Sequence, residues 1–125
     1  MEERFAPLPD PPYYAVIFTA QLRGDAVGYS EMAAKMAVLA ARHPGYIGAE
    51  STRDNNGLGI TVSYWRDARS IADWKQDIDH LAAQKLGKSR WYRQYTLRIA
   101  KVERAYSGPE GRPGVDPGFS PPESP

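Results

Sequence analysis

The spacing of apolar residues switches repeatedly between two residues and about 3.6 residues along the central part of the chain, and this switching limits the fold more than any other feature. Residues 13–22 alternate as a strand does, and both alternating sets are mostly apolar, which is typical of a strand covered on both faces. Over residues 29–43 the apolar positions follow one helical face. Ser30 is the predicted N-cap of this helix, and Pro44 and Gly45 are its predicted stop.

A β-hairpin follows the first helix. Residues 46–53 and 58–65 read as two strands, and they flank the segment Asp-Asn-Asn-Gly at 54–57, whose residues tolerate positive φ and close a tight turn. In the second arm the even-numbered residues from Leu58 to Tyr64 face one way, while the odd-numbered residues from Gly59 to Trp65 face the other.

A second helix and a last strand complete the pattern. Asp67 is the predicted N-cap of a helix whose apolar stripe ends before Gly87. The last strand is predicted over residues 95–106. Because Val102 has the opposite parity to the apolar residues before it, we expect a β-bulge near residues 100–101.

The predicted order of elements is β-α-β-β-α-β, an α+β fold of the ferredoxin-like type. Right-handed crossovers place both helices on one face of a four-stranded antiparallel sheet. The other face would expose an apolar patch of more than a few hundred Å² in a monomer, because strands one and three are apolar on both parities. We therefore predict that two copies pair sheet to sheet as a homodimer.

Proline and glycine are concentrated at the two ends of the chain. This composition predicts a flexible proline-rich arm at residues 1–12 and a disordered Pro/Gly-rich tail at residues 107–125. Residues 13–106 are the predicted folded domain. The whole chain of 125 residues has the usual size of one domain.

Composition excludes several classes of function. A net charge of +1 provides no strong field for nucleic acid or an anionic membrane, and the basic residues interleaved with aromatics after residue 84 have acidic neighbours. With no cysteine, the chain has no disulfide, thiolate nucleophile or cysteine-ligated metal, and we predict no metal site. No apolar run approaches the ~20 residues of a membrane span, so we expect a cytoplasmic protein.

Pro44-Gly45-Tyr46 opens the second strand, and Trp65 and Trp74 frame the start of the second helix. With these features, six stretches resemble the antibiotic biosynthesis monooxygenase family, namely residues 13–18, 43–46, 57–65, 74–75, 80–84 and 102–106. The resemblance implies a dimeric α/β barrel with a ligand cavity between the helices and the sheet of each subunit. It also implies one of two chemistries, which are cofactor-independent oxygenation of polycyclic phenols and anthrones, and oxidative heme cleavage.

The heme-cleaving branch of that family has a histidine late in helix two as iron ligand, a tryptophan early in the same helix and an asparagine in strand one. Trp74 matches the tryptophan, but the position of the iron ligand falls on Gln84 and strand one contains no asparagine. Glutamine is a poor iron ligand. We therefore predict a monooxygenase without a cofactor that acts on a flat aromatic or polyketide-like compound. The alternatives are a heme-binding or heme-degrading protein and a non-catalytic dimeric protein that binds a small molecule.

Two polar residues of helix two are the predicted catalytic pair. Asp77 lies three residues before His80, where its carboxylate can orient the imidazole ring and raise its basicity, as a general base requires. The alternative is a solvent-facing histidine on a polar helix face. His43, at the end of helix one, is predicted to interact with the helix dipole as a C-cap.

Aromatic residues around helix two are the predicted substrate-binding residues. Trp65 and Trp74 would form flat walls, and Tyr92 would donate a hydrogen bond to the substrate. Gln84, at the position of the family's iron-binding histidine, is also a predicted substrate-binding residue. The alternative for each aromatic residue is an ordinary place in the core.

Overall fold

The computed structural model describes residues 4–24, 28–84 and 91–109. Its elements are β1 (Tyr13–Leu22), α1 (Tyr29–Ala41), β2 (Tyr46–Arg53), β3 (Leu58–Trp65), α2 (Ala68–Gln84) and β4 (Tyr92–Val102). The order β-α-β-β-α-β confirms the predicted fold class. Neither helix, within the part of the chain that the structure describes, is long and apolar enough to cross a membrane.

The four strands form one antiparallel sheet in the order β2-β3-β1-β4, and both helices lie on the same face. Val16 of β1 and Trp65 of β3 point toward the helices and pack with Ala40 of α1 and Ile71 of α2. The register pairs Thr19 with Ile60, so the even-numbered residues of β3 face away from the helices, as the alternation predicts.

The last strand differs from the prediction in two respects. It begins at Tyr92, and its pairing with β1 runs without interruption from Tyr13 opposite Val102 to Gln21 opposite Gln94. The predicted bulge near residues 100–101 is therefore wrong, and the shift in register lies at the other end of the strand. Both faces of the sheet are apolar here, so Val102 and Leu97 can lie on opposite faces of a regular strand. Val102 lies on the face without helices, where its partner Tyr13 is buried.

The two helices begin in different ways. Helix α1 has Gly28 as its N-cap at φ +84°, with no side-chain cap, so the prediction of Ser30 as the cap is wrong and Ser30 lies inside the first turn. A glycine adopts this left-handed conformation without steric cost, which makes a side-chain cap dispensable. Helix α2 confirms Asp67, whose Oδ1 accepts a hydrogen bond of 2.7 Å from the backbone N–H of Ser70.

The hairpin between β2 and β3 closes as predicted. Asp54 Oδ1 accepts 2.9 Å hydrogen bonds from the backbone N–H groups of Asn56 and Leu58, which is an Asx-type turn. Gly57 completes it at φ +90°, a conformation that favours glycine.

The arm before β1 contacts the sheet on the face without helices. The backbone N–H of Ala6 donates a 2.9 Å hydrogen bond to Glu50 Oε2, and Ala6 and Pro7 pack over Gly48. Tyr64 Oη donates to the other oxygen of Glu50 at 2.6 Å. This end of the arm is thus attached to β2. Residues 1–3 of the arm and 110–125 of the predicted disordered tail lie outside the described residues.

Candidate functional site

A cavity of about 220 Å³ lies between the two helices and the face of the sheet that they cover. It separates two groups of buried residues, one around Trp65 and the other around Met32 and Tyr92. The lining is mainly apolar, and its aromatic members are Phe18, Tyr29, Tyr46, Trp74, Trp91, Tyr92 and Tyr95. A concave apolar site with few polar groups is typical of a small-molecule site, and the volume is below the ~300–1,000 Å³ of drug-sized ligands.

The two tryptophans predicted as walls have different places in the structure, one at the cavity and one in the core. Trp74 of α2 lines the cavity, and its Nε1 lies 3.4 Å from the carbonyl oxygen of Met36, which it approaches as a donor. Trp65 is fully buried in the core. Its ring packs against Trp74 at 5.2 Å between centroids, and its Nε1 donates to Ser63 Oγ at 2.9 Å. Trp65 therefore supports the wall that Trp74 forms, without lining the cavity itself.

A cluster of tyrosines forms the polar end of the cavity. Tyr92, a predicted hydrogen-bond donor, lines it together with Tyr29 and Tyr95, and its ring meets Tyr29 edge to face at 5.6 Å. Burial, reinforced by a hydrogen bond to Tyr29, raises the pKa of Tyr92 well above its ordinary value of 10. Burial also raises the pKa of Tyr46. Tyr92 and Tyr46 are consequently neutral at physiological pH, and their hydroxyl groups are available as hydrogen-bond donors.

Lys75 is the one cation among the lining residues that the structure describes. Its Nζ lies 2.6 Å from Asp79 Oδ2, one helical turn further along α2. Among the lining residues that the structure describes, none is histidine, aspartate or glutamate. The polar groups facing the cavity are thus hydroxyl and ammonium donors, an arrangement that suits a ligand with an anionic oxygen.

The predicted catalytic pair lies away from this lining. His80 is solvent-exposed on α2, and the carboxylate of Asp77 accepts a 2.9 Å hydrogen bond from Nε2 of His43. Helix α1 ends with Arg42 as its C-cap, and the His43 side chain, only 17% exposed, reaches across to α2. The interpretation of His43 as a C-cap is therefore wrong, because a carboxylate on the neighbouring helix offers its ring a closer partner. The side chain of Gln84 lies outside the described residues.

A heme group does not fit the described lining well. The porphyrin macrocycle is larger than the cavity, and no histidine borders it among the residues that the structure describes. The same part of the chain contains no cluster of three or more His, Asp or Glu residues that could hold a metal ion.

Sequence reasoning missed Tyr29 and Lys75 as site residues. Tyr29 was interpreted as part of the apolar face of the first helix, and Lys75 entered only as part of the stretch 74–75 that resembles the family. The signal for both lies in their neighbours, since Tyr29 directly follows a glycine that starts α1 and Lys75 adjoins Trp74.

Solved structures with the same architecture include proteins of the antibiotic biosynthesis monooxygenase-like fold. SnoaB, a cofactor-independent oxygenase from Streptomyces nogalater, superposes with a TM-score of 0.58 at 14% identity, covering 80% of this chain and 100% of that one. A putative antibiotic biosynthesis monooxygenase from Nitrosomonas europaea superposes with a TM-score of 0.61 at 13% identity, covering 76% and 95% of the two chains. At these identities the likeness establishes the fold.

The sequence itself has a nearer relative. The uncharacterised protein YqjZ of Bacillus subtilis is 48% identical over 96 residues, which cover 77% of this chain and 84% of the relative. No model of a known protein family matches the sequence. The chain therefore belongs to the same family as YqjZ, and this family has the antibiotic biosynthesis monooxygenase-like fold.

Proposed function

We propose that this protein is a cofactor-independent monooxygenase that acts on a flat, ionisable aromatic or polyketide-like compound. The observation that carries the proposal is the cavity, which has aromatic walls and hydrogen-bond donors in the same lining. Apolar walls such as Trp74 suit a planar ring system, and the hydroxyl and ammonium donors suit the oxygen of its conjugate base. The fold shared with SnoaB, described as a cofactor-independent oxygenase, supports the same reaction class.

In this reaction the substrate supplies all the electrons. Loss of an acidic proton from the substrate gives a carbanion, which passes one electron to O₂. The resulting carbon radical and superoxide combine to form a C–O bond, and protonation gives a hydroperoxide. Elimination of water from the hydroperoxide leaves a ketone or quinone, so that one atom of O₂ enters the product and the other leaves in water.

The protein has three tasks in such a sequence. It orients the ring system against Trp74, it stabilises the substrate anion through donors such as Tyr92 and Lys75, and it keeps water away from the radical pair. Because stabilisation of the anion makes the bound substrate more acidic, solvent can accept its proton. A general base has to come within hydrogen-bond reach of that proton, and the exposed position of His80 does not favour this role.

Turnover of an anthrone, followed by O₂ consumption, tests the proposal. Trp74→Ala is expected to lower kcat/KM by about 10- to 100-fold, because loss of the aromatic wall removes roughly 1.5–3 kcal/mol of apolar contact with the bound ligand. His80→Ala is the matched change on the exposed side of the same helix, and we expect it to stay within about twofold of the parent.

Three results would contradict this assignment. A fall of about 100-fold or more in His80→Ala would return the role of general base to His80. Tight binding of the anthrone without O₂ consumption would favour the non-catalytic binding protein. A Soret shift that saturates at one hemin per subunit would favour the heme-binding alternative.

We also propose that the sheet face without helices is the contact surface of a homodimer. Leu58 and Ile60 are 44% and 41% exposed on this face, and Ile17 and Val62 beside them are only half-buried. Adjacent exposed aliphatic side chains on a sheet are a frequent mark of an interface. A second copy related by two-fold symmetry would cover the same residues on both subunits.

Light scattering at micromolar concentration is expected to give twice the chain mass of 13.9 kDa. Ile60→Asp should shift the protein to a monomer, since a two-fold contact would bury the two introduced carboxylates. Val38→Asp serves as the control, because Val38 is 54% exposed on α1, away from the sheet face. A parent that scatters as a monomer would contradict the proposal.

A further inference from the structure

A line of polar contacts connects the end of β2 with the cavity. Arg53, the last residue of β2, donates a 3.2 Å hydrogen bond from Nη2 to the hydroxyl oxygen of Tyr29. Its Cζ also lies 5.2 Å from the centroid of the Tyr29 ring, within the range of a cation–π contact. Arg53 is exposed and does not line the cavity, whereas Tyr29 does.

The guanidinium of Arg53 is held in place by the backbone of the hairpin. Its Nη1 donates to the carbonyl oxygen of Gly57 at 2.9 Å, and the group lies flat on Gly59, its partner in the β2–β3 register. A Cβ added to Gly59 would stand 2.7 Å from Cζ and 2.8 Å from each Nη atom of Arg53. The absence of a side chain at Gly59 is therefore what allows the guanidinium to reach Tyr29.

The side chain of Tyr29 lies between Arg53 of the hairpin and Tyr92 of β4. Arg53 donates to its hydroxyl from the hairpin, and the Tyr29 ring meets the ring of Tyr92 edge to face from β4. A phenolic hydroxyl has two lone pairs and one proton. Because a guanidinium can only donate, Arg53 occupies a lone pair of Tyr29 and leaves its proton for another partner, and Tyr29 lines the cavity in which such a partner would bind.

We propose that the Tyr29 hydroxyl is the recognition site for an ionised ligand oxygen, and that Arg53 is a positioning residue that acts through it. The cavity would then select aromatic compounds that carry a phenolate or enolate oxygen over neutral rings of the same shape. This inference rests on the proposed function in so far as it names the class of substrate. The other charged or titratable groups among the described residues of the cavity lining are Tyr46, Lys75, Tyr92 and Tyr95.

Binding of 4-nitrophenol tests the inference without any turnover, because its phenolate form absorbs visible light and its phenol form does not. The dissociation constants of the two forms come from absorbance titrations at a series of pH values. We expect the parent protein to bind the phenolate at least tenfold more tightly than the phenol, as a charge-assisted hydrogen bond provides. Tyr29→Phe should bring this ratio close to one while leaving the affinity for the neutral phenol nearly unchanged.

Changes at Arg53 separate positioning from simple charge. Arg53→Met and Gly59→Ala should each lower the ratio by roughly threefold to tenfold, the latter by displacing a flexible side chain without removing its charge. Arg53→Lys should recover part of the loss. Arg69→Met is the control, because it removes the same charge from an arginine that is 86% exposed on α2.

Several results would overturn the inference. These are equal affinity for phenol and phenolate in the parent, an unchanged ratio in Tyr29→Phe, or loss of the preference in Lys75→Met alone. An unchanged ratio in both Arg53→Met and Gly59→Ala would overturn the role of Arg53. If the preference for phenolate is found but no anthrone is oxygenated, the recognition site stands and the proposed monooxygenase function fails. If anthrones are oxygenated without that preference, the proposed monooxygenase function stands and the recognition site fails.

Discussion

Replacing Trp65 by alanine is expected to lower the free energy of unfolding by about 3–5 kcal/mol, the usual cost of truncating a fully buried aromatic residue. Trp65 is 0% exposed, and its ring packs edge to face on Tyr46 at 5.4 Å and against Trp74 at 5.2 Å. The change would also leave the Ser63 hydroxyl without its donor. Urea unfolding followed by far-UV circular dichroism measures the loss independently of tryptophan fluorescence.

Trp74→Ala is the matched control for this change. Trp74 is half-buried and borders a cavity that already exists, so its truncation enlarges that space and opens no new one in the core. We expect a clearly smaller loss of stability than in Trp65→Ala, together with weaker binding of aromatic ligands. Equal losses of stability in the two variants would show that Trp65 is not the centre of the core.

The fold was predictable because the sequence signals of its helices, strands and turns are local. The alternation in residues 58–65, the Asp-Asn-Asn-Gly turn and the Asp67 cap each depend on neighbours within a few residues. In the last strand, where the local pattern misled, a long-range partner explains the difference. Val102 suggested a bulge only because the sequence does not show that Tyr13 lies buried opposite it on the second apolar face.

The site was less predictable, because it depends on contacts between distant segments. Trp74 and Tyr92 do line the cavity, and their role in binding a substrate stays a prediction. Asp77 was assigned to His80 by helical spacing, but the structure gives it a partner 34 residues away, the ring of His43. Likewise, nothing local to Arg53 indicates that it reaches Tyr29, because the contact requires the register that places it over Gly59.

The stability of the protein is expected to fall steeply as the pH rises above 10. Burial raises the pKa of Tyr13, Tyr46, Tyr64 and Tyr92 above the ordinary value of 10.0, with added contributions from Glu50 at Tyr13 and Tyr64 and from Tyr29 at Tyr92. Below pH 10 these phenols are protonated in both the folded and the unfolded chain. Above it the unfolded chain releases their protons while the folded chain retains them, so unfolding becomes progressively more favourable.

Tyr92→Phe isolates the contribution of one of these groups. Each tyrosine that stays protonated in the folded state adds up to about 1.4 kcal/mol of destabilisation per pH unit above 10. The variant should be less stable than the parent at pH 7, because the hydrogen bond to Tyr29 is lost, yet its stability should decline less steeply between pH 10 and 12. Urea unfolding at closely spaced pH values gives both slopes, and the range from pH 7 to 9, where the phenol of Tyr92 does not titrate in either state, is the internal control. Parallel curves above pH 10 would mean that Tyr92 ionises in the folded protein as readily as in the unfolded chain. Its hydroxyl would then not be the neutral donor that the cavity requires.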